Sequence, residues 1–268
     1  MKVKKLLKKY SGSLDPKELD EILALALKKN LLYIYKNPDK EITVSGLRAF
    51  KKLLIKRQVG WSLAYLKGYK EFCGQKFLVS KYTLIPRPES ELLVEEALKY
   101  LKDNHKILDI GTGSGCLILS ILKQKQPNGL ASDISKKALK TAKTNARKLG
   151  LKNKVKFYQS NLLTNIPAQK FDVILANLPY LTPSERQESS IKKEPTLALL
   201  SGKDGLDAYR QLLKQIPSYL EKKYLLLLEI NPKQKEEIKR IINSSLPQAK
   251  IEFIKDLANK DRIVKIYS

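Results

Sequence analysis

Between Phe171 and Tyr180 the chain reads FDVILANLPY, an uninterrupted apolar run that stops at an asparagine and turns through Leu-Pro-Tyr. A strand with one face in water alternates apolar and polar residues. Val173, Ile174, Leu175 and Ala176 in succession instead suit a strand covered on both faces, as in a parallel sheet flanked by helices. That points to an α/β fold. In such sheets ligands bind just beyond the carboxyl ends of the strands, which places Asn177, Leu178, Pro179 and Tyr180 at the rim of a site. The asparagine side-chain oxygen and the carbonyl of residue 178 can accept from a planar NH2 group, and the Tyr180 ring can cover it. The turn therefore suits the grip of an amide or an exocyclic amine.

A second unit of the same kind lies upstream. KILDI (Lys106 to Ile110) reads as a strand, Gly111-Thr112-Gly113-Ser114-Gly115 as a tight loop, and CLILSILKQ as an apolar helix. Glycines at alternate positions let the backbone pass close under a ligand, while the helix start offers unpaired N–H groups. The loop lacks the later glycine of a dinucleotide site, and no Gly-Lys-Ser/Thr follows as in a P-loop. GLASD (Gly129 to Asp133) is the next strand, and Asp133 lies 18 residues past Gly115. A carboxylate there can take both ribose hydroxyls of a nucleoside, or serve as an acid at the start of the helix Ser135 to Leu149, or do both. VKFYQ, with Asn161 and Leu162 at its carboxyl end, FDVILA and YLLLLEI follow, and KIEFIK and RIVKIY supply a closing pair. The alternation predicts a doubly wound, seven-stranded α/β sheet with an antiparallel closing pair.

The amino-terminal part reads differently. After Asp15-Pro16, a helix start, Leu19, Ile22, Leu23, Ala26 and Leu27 recur at helical spacing. A second helix over 45–58 carries Leu47, Phe50, Leu54 and Ile55 along one side. Gly60, Gly68 and Gly74 then punctuate a linker leading into a short strand or hairpin, and an amphipathic helix is predicted from Glu89 to Lys102. The boundary is expected near residue 75 to 80, with a helical domain over 1–75 and the α/β domain over 76–268.

Composition narrows the chemistry. Cys73 and Cys116 are the only cysteines and lack ligand spacing, and His105 is the sole histidine, expected in solvent at a helix-to-strand junction. Zinc sites and Ser-His or Cys-His nucleophiles are thereby excluded. No apolar run approaches the ~18 residues of a membrane span, and the start does not read as a signal peptide, so a cytoplasmic protein without membrane partners is expected. The net charge is +25, carried by 44 Lys and 8 Arg. The first 75 residues hold 17 basic and 7 acidic residues, a net +10. Such an excess invites a nucleic-acid reading, although scattered lysines on solvated helix faces give the same composition.

In this order the glycine loop, the acid after the second strand and the Asn-Leu-Pro-Tyr turn resemble the class I (Rossmann-like) S-adenosylmethionine-dependent methyltransferases. LIPRPESELLVEEAL, DIGTGSGCLILSIL, FDVILANLPYL, EPTLALLSGKDGLDAYR and LLLEI together are similar to the PrmC/HemK family, which methylates the glutamine of the GGQ motif in peptide-chain release factors. The resemblance runs from about Arg57 to Arg262, and the helical region fits that family's substrate-docking domain. It implies that Gly111, Thr112, Gly113, Ser114 and Gly115 lie under the methionine part of S-adenosylmethionine, that Asp133 holds the ribose, that Leu162 flanks the adenine, and that Asn177 also borders the cofactor. Asn177, Leu178, Pro179 and Tyr180 would hold the glutamine amide. The family turn is usually Asn-Pro-Pro-Tyr, and here Leu178 replaces the first proline. Asn-Leu-Pro-Tyr is also similar to the turn of ribosomal RNA adenine dimethyltransferases, so an amino-group methyltransferase of RNA or DNA is the alternative. A basic cofactor-binding adaptor for RNA is a third reading. Release factors are the expected partners, and direct nucleic-acid binding is not expected.

Overall fold

The Asp15 carboxylate accepts from the backbone N–H groups of Lys17 and Glu18 and starts α2 (Pro16–Leu27) with a proline in its first turn, as the sequence predicts. The computed structural model describes residues 1–187 and 191–268, in two compact units, Met1–Gly68 and Tyr69–Ser268. The first unit is all helical: α1 (Val3–Tyr10), α2, α3 (Leu31–Lys36), α4 (Val44–Gln58) and α5 (Leu63–Lys67). Leu19, Ile22 and Leu23 of α2 pack with Phe50 and Leu54 of α4, and Val3, Leu6 and Ile34 close this core. The Arg57 guanidinium forks onto the Glu18 carboxylate at 2.9 and 2.8 Å and ties α4 to the start of α2. Ile55, expected on the core face, is 59% exposed, one step round α4 from Leu54.

The second unit begins earlier than expected. A hairpin of β1 (Tyr69–Phe72) and β2 (Gln75–Leu78) turns through Cys73 and Gly74, both at positive φ, the backbone that a two-residue hairpin needs. Phe72 and Phe77 are buried in the core of this unit, so the hairpin belongs with it and the boundary falls at Gly68/Tyr69 rather than 75–80. There follow α6 (Glu91–Tyr100), shorter than the predicted Glu89 to Lys102 because Pro88–Ser90 forms a separate 3-10 turn, and then β3 (Lys106–Ile110), α7 (Cys116–Gln124) and β4 (Asn128–Asp133). The chain continues through α8 (Lys136–Lys148), β5 (Val155–Gln159), β6 (Phe171–Ala176), α9 (Asp207–Gln215), β7 (Leu220–Glu229), α10 (Lys235–Ser245), β8 (Lys250–Lys255) and β9 (Asp261–Tyr267).

The seven-stranded sheet has the order β5-β4-β3-β6-β7-β9-β8. β5, β4, β3, β6 and β7 are parallel, while β9 runs antiparallel between β7 and β8, as the expected closing pair. Successive residues of β6 enter two different cores. Ile174 and Ala176 pack toward Tyr209, Leu212 and Leu213 of α9 and Ile238 and Ile242 of α10. Val173 and Leu175 pack toward Leu93, Val94 and Ala97 of α6 and Ile118 and Ile121 of α7. This two-sided burial is the physical cause of the unbroken apolar run, and a Leu175→Ala cavity would cost ~2–5 kcal/mol.

His105 does lie at a helix-to-strand junction, but its side chain is only 15% exposed and rests near the Tyr100 ring, with centroids 5.7 Å apart. Both cysteines are free and half-buried, and burial pushes their thiols up to about 11 at Cys73 and about 12 at Cys116. They are inert packing groups at neutral pH. Among the described residues no helix is long and apolar enough to cross a membrane.

Candidate active site

The strand order reverses between β3 and β6, because the chain leaves β3 toward β4 and β5 and returns on the other side. Ligands bind at the carboxyl ends of strands at such a switch point. A cavity of about 580 Å³ opens there, walled by the glycine loop after β3, Asp133 at the end of β4, Leu162 after β5 and the Asn177-Leu178-Pro179 turn after β6. Its size falls within the ~300–1,000 Å³ usual for small-ligand sites.

The glycine loop is fixed by its own backbone. Thr112 N–H donates to the Ser132 carbonyl at 2.9 Å, and Gly115 N–H to the Thr112 carbonyl at 2.7 Å. Gly111 and Gly113 are at φ +73° and +56°. A Cβ on Gly111 would meet Leu178 Cδ2 at 3.0 Å, whereas one on Gly113 would meet nothing closer than 3.9 Å. Gly113 thus presents open backbone to the cavity, while Gly111 lets the β6 turn approach. Ser114 is held through Asn145 of α8, a fully buried side chain whose Nδ2 donates to the Ser114 carbonyl at 2.8 Å and to the Leu78 carbonyl at 3.0 Å.

Asp133 joins the loop to the next turn. Its Oδ2 accepts from Gly113 N–H and its Oδ1 from Ser135 N–H, each at 2.8 Å. Ser135 itself caps α8, so Asp133 supports the helix start without being its cap. Each carboxylate oxygen keeps a lone pair, and the residue lines the cavity, so the donor set suits a pair of vicinal hydroxyls. Burial raises its pKa above the ordinary carboxylate range, against the two backbone donors that lower it. Beneath the loop Asp109 is fully buried, accepts from the Thr112 hydroxyl at 2.6 Å, and is pushed up to about 7 by the loss of water around it.

At the β6 turn the Asn177 amide nitrogen gives one hydrogen to Ser90 Oγ at 3.0 Å and the other to Glu229 Oε2 at 2.8 Å. Its oxygen is left for a ligand. Among the described residues no donor reaches the Leu178 carbonyl oxygen either, so two acceptors remain on adjacent residues that line the cavity. The Leu178 N–H donates to the Tyr209 hydroxyl at 3.2 Å, and that hydroxyl donates to the Glu229 carbonyl.

A family profile described as "Methyltransferase domain" matches residues 101–262. A release factor glutamine methyltransferase of Bacillus cereus is 34% identical, with 98% of each chain covered. The chain belongs to the release factor glutamine methyltransferase family. Its namesake from Borreliella burgdorferi is 40% identical over 231 residues, covering 85% of this chain and 80% of that protein. Among solved structures a methyltransferase from Pyrococcus furiosus shares the fold, with a TM-score of 0.56 at 18% identity over 72% of this chain and 88% of that one.

Three segments that carry the family likeness meet around the β6 turn. Ser90 belongs to RPES, Glu229 to LLLEI and Glu194 to EPTLALL. Buried Glu194 accepts from Ile85 N–H at 3.0 Å and pairs with the Arg87 guanidinium, which lines the cavity. Glu229, fully buried, also accepts the Tyr180 hydroxyl on Oε1 at 3.1 Å. Burial raises its pKa, while hydrogen bonds from Ser90 and Tyr180 and the charge of Arg262 work to lower it.

Of the residues expected at the site, Gly111, Thr112, Gly113, Ser114, Asp133, Leu162, Asn177, Leu178 and Pro179 all line the cavity. Gly115 and Tyr180 do not. A Cβ on Gly115 would meet Leu119 at 2.9 Å, so this glycine serves the start of α7. Tyr180 points its hydroxyl at Glu229. Ser90, Tyr209 and Glu229 lie within segments that carry the family likeness and Asn145 lies outside them, but their roles depend on partners 20 to 139 residues away in the chain, which no local spacing shows.

Proposed function

We propose that this chain methylates the side-chain amide nitrogen of the glutamine in the Gly-Gly-Gln motif of peptide-chain release factors, with S-adenosylmethionine in the cavity. The observation that carries the reading is the pair of acceptors, Asn177 Oδ1 and the Leu178 carbonyl, left without a donor among the described residues, on a turn where the Asn177 side-chain NH2 and the Leu178 N–H are engaged elsewhere. When bound, S-adenosylmethionine supplies an electrophilic methyl group on a sulfonium sulfur. Asp133 would accept from the ribose hydroxyls, Gly113 would lie against the methionine part, and Leu162 would flank the adenine.

An amide nitrogen is a poor nucleophile, because its lone pair is delocalised into the carbonyl. Two acceptors on its two hydrogens favour the rehybridised nitrogen and fix its lone pair in line with the methyl, and such alignment supplies much of the barrier reduction. The nitrogen's proton becomes acidic once the new C–N bond forms, so it can leave to water without a strong base. Tyr180 supports the turn through Glu229. The helical unit of residues 1–68, with its basic excess, serves as the docking part for the release factor. The test is transfer of labelled methyl from S-adenosylmethionine to purified release factor, ribosomal RNA and DNA in parallel. Label in the release factor supports the reading, and label confined to nucleic acid overturns it.

A further inference from the structure

Glutamine and asparagine amides are nearly symmetric in shape, so the turn works only if Asn177 presents oxygen and never nitrogen to the substrate. The surroundings decide this. A carboxylate has no hydrogen to give, so the Asn177 atom that meets Glu229 Oε2 at 2.8 Å must be the nitrogen. The single hydrogen of the Ser90 hydroxyl goes to the same carboxylate oxygen, at 2.5 Å, and its lone pairs therefore face the second Asn177 hydrogen, at 3.0 Å. Tyr180 fills Oε1. Glu229 and Ser90 are both buried, so water does not compete for these contacts.

We propose that Glu229, with Ser90, is a positioning residue for amide methylation: it takes the Asn177 amide nitrogen and so locks Oδ1 toward the substrate nitrogen. It touches neither substrate nor cofactor in this role. The inference rests on the reading above that Asn177 Oδ1 accepts from the substrate amide, and it adds that a buried acid at the end of β7 selects for an NH2-bearing substrate by fixing the polarity of the acceptor.

The test is a swap of the two functional groups. Asn177→Asp sets a carboxylate against Glu229 and removes the complementary contact, and methylation of release factor falls by ~100-fold, the scale for loss of an oriented transition-state hydrogen bond. Adding Glu229→Gln returns a donor against an acceptor, with one oxygen of residue 177 again free for the substrate. The Asn177→Asp/Glu229→Gln double variant therefore recovers at least ~10-fold over Asn177→Asp, in kcat more than in KM. A merely structural acid would show no such reciprocal rescue. Glu229→Leu gives an independent arm: it should lower kcat by ~100-fold while cofactor affinity, measured by calorimetry, stays within about threefold. Near-normal activity in Asn177→Asp alone, a double variant no better than Asn177→Asp, or a Glu229→Leu protein that binds cofactor and keeps wild-type kcat each overturns the proposal. A wild type without activity on release factor overturns both this inference and the reading beneath it, whereas an active wild type with an unresponsive swap removes the inference alone.

Discussion

Leu178 stands where the family turn usually has proline, and the structure shows what the exchange adds. Its N–H, which proline lacks, reaches the hydroxyl of Tyr209, and that hydroxyl also serves the Glu229 carbonyl. Tyr209 is fully buried and its phenol is held well above its ordinary pKa by burial, so it remains a neutral donor and acceptor. Removing the hydroxyl by Tyr209→Phe leaves two buried groups without this partner, the Leu178 N–H and the Glu229 carbonyl. At ~1–3 kcal/mol for each orphaned group, with partial relaxation, the loss of stability is ~2–4 kcal/mol. In a Leu178→Pro background the N–H no longer exists, and the same substitution orphans only the carbonyl. A double-mutant cycle over Leu178→Pro and Tyr209→Phe, read by urea denaturation, should therefore show a coupling of ~1 kcal/mol or more. The turnover of Leu178→Pro should stay within ~10-fold of wild type, equivalent to about 1.4 kcal/mol, because Pro179 already drives residue 178 into an extended conformation. Asn177→Ala, by contrast, deletes an acceptor and should lose ~100-fold. Additive stabilities, within ~0.3 kcal/mol, would show that Tyr209 does not hold the Leu178 N–H and would refute the account of the exchange.

Asp133→Ala should weaken S-adenosylmethionine binding by ~2–3 kcal/mol in calorimetry, as expected for charge-assisted bonds to two hydroxyls, and unchanged affinity in a folded variant would leave Asp133 only its link between Gly113 and Ser135. Removal of residues 1–68, which spares the hairpin that packs in the second unit, should preserve cofactor affinity while methylation of whole release factor collapses; equal turnover would refute a docking role. Asp109 keeps its proton in the folded state up to about 7 but loses it near the ordinary carboxylate range when unfolded. The native state thus binds more protons between those values, and this group's contribution to stability falls as pH rises through that window and levels off above it. Asp109→Asn, which has no proton to lose, should gain on wild type by a few kcal/mol at most between pH 5 and pH 8 in denaturation experiments, and a pH-independent difference would contradict the buried-acid assignment.

The strands could be read from the sequence because two-sided burial leaves a one-dimensional trace. Val173 to Ala176 are apolar without interruption since alternate residues feed separate cores. The glycine loop, Asp133 and the Asn177 turn are legible for a similar reason, as the loop and the turn sit directly after a strand and Asp133 ends one. Glu229 was not, although it ends the fifth parallel strand: a lone acid after LLLL reads as a strand end entering water, and only the approach of Ser90 from 139 residues away makes it a buried hub. Asn145 within a lysine-rich helix reads as solvated until the hairpin backbone at Leu78 closes on it. The domain boundary is not legible, because the glycines at 60, 68 and 74 look alike as punctuation and only burial of Phe72 and Phe77 decides to which unit the hairpin belongs.

The account stands most directly on the atom that receives the methyl group. Wild-type protein, S-adenosylmethionine and purified release factor should give one methylated peptide in tandem mass spectrometry, with the added mass on the side chain of the Gly-Gly-Gln glutamine, and Asn177→Ala should suppress it. A methyl group on another residue of the release factor, or on adenine amino groups of RNA or DNA added alongside while the glutamine stays unmodified, would contradict the amide-gripping role of the Asn177 turn.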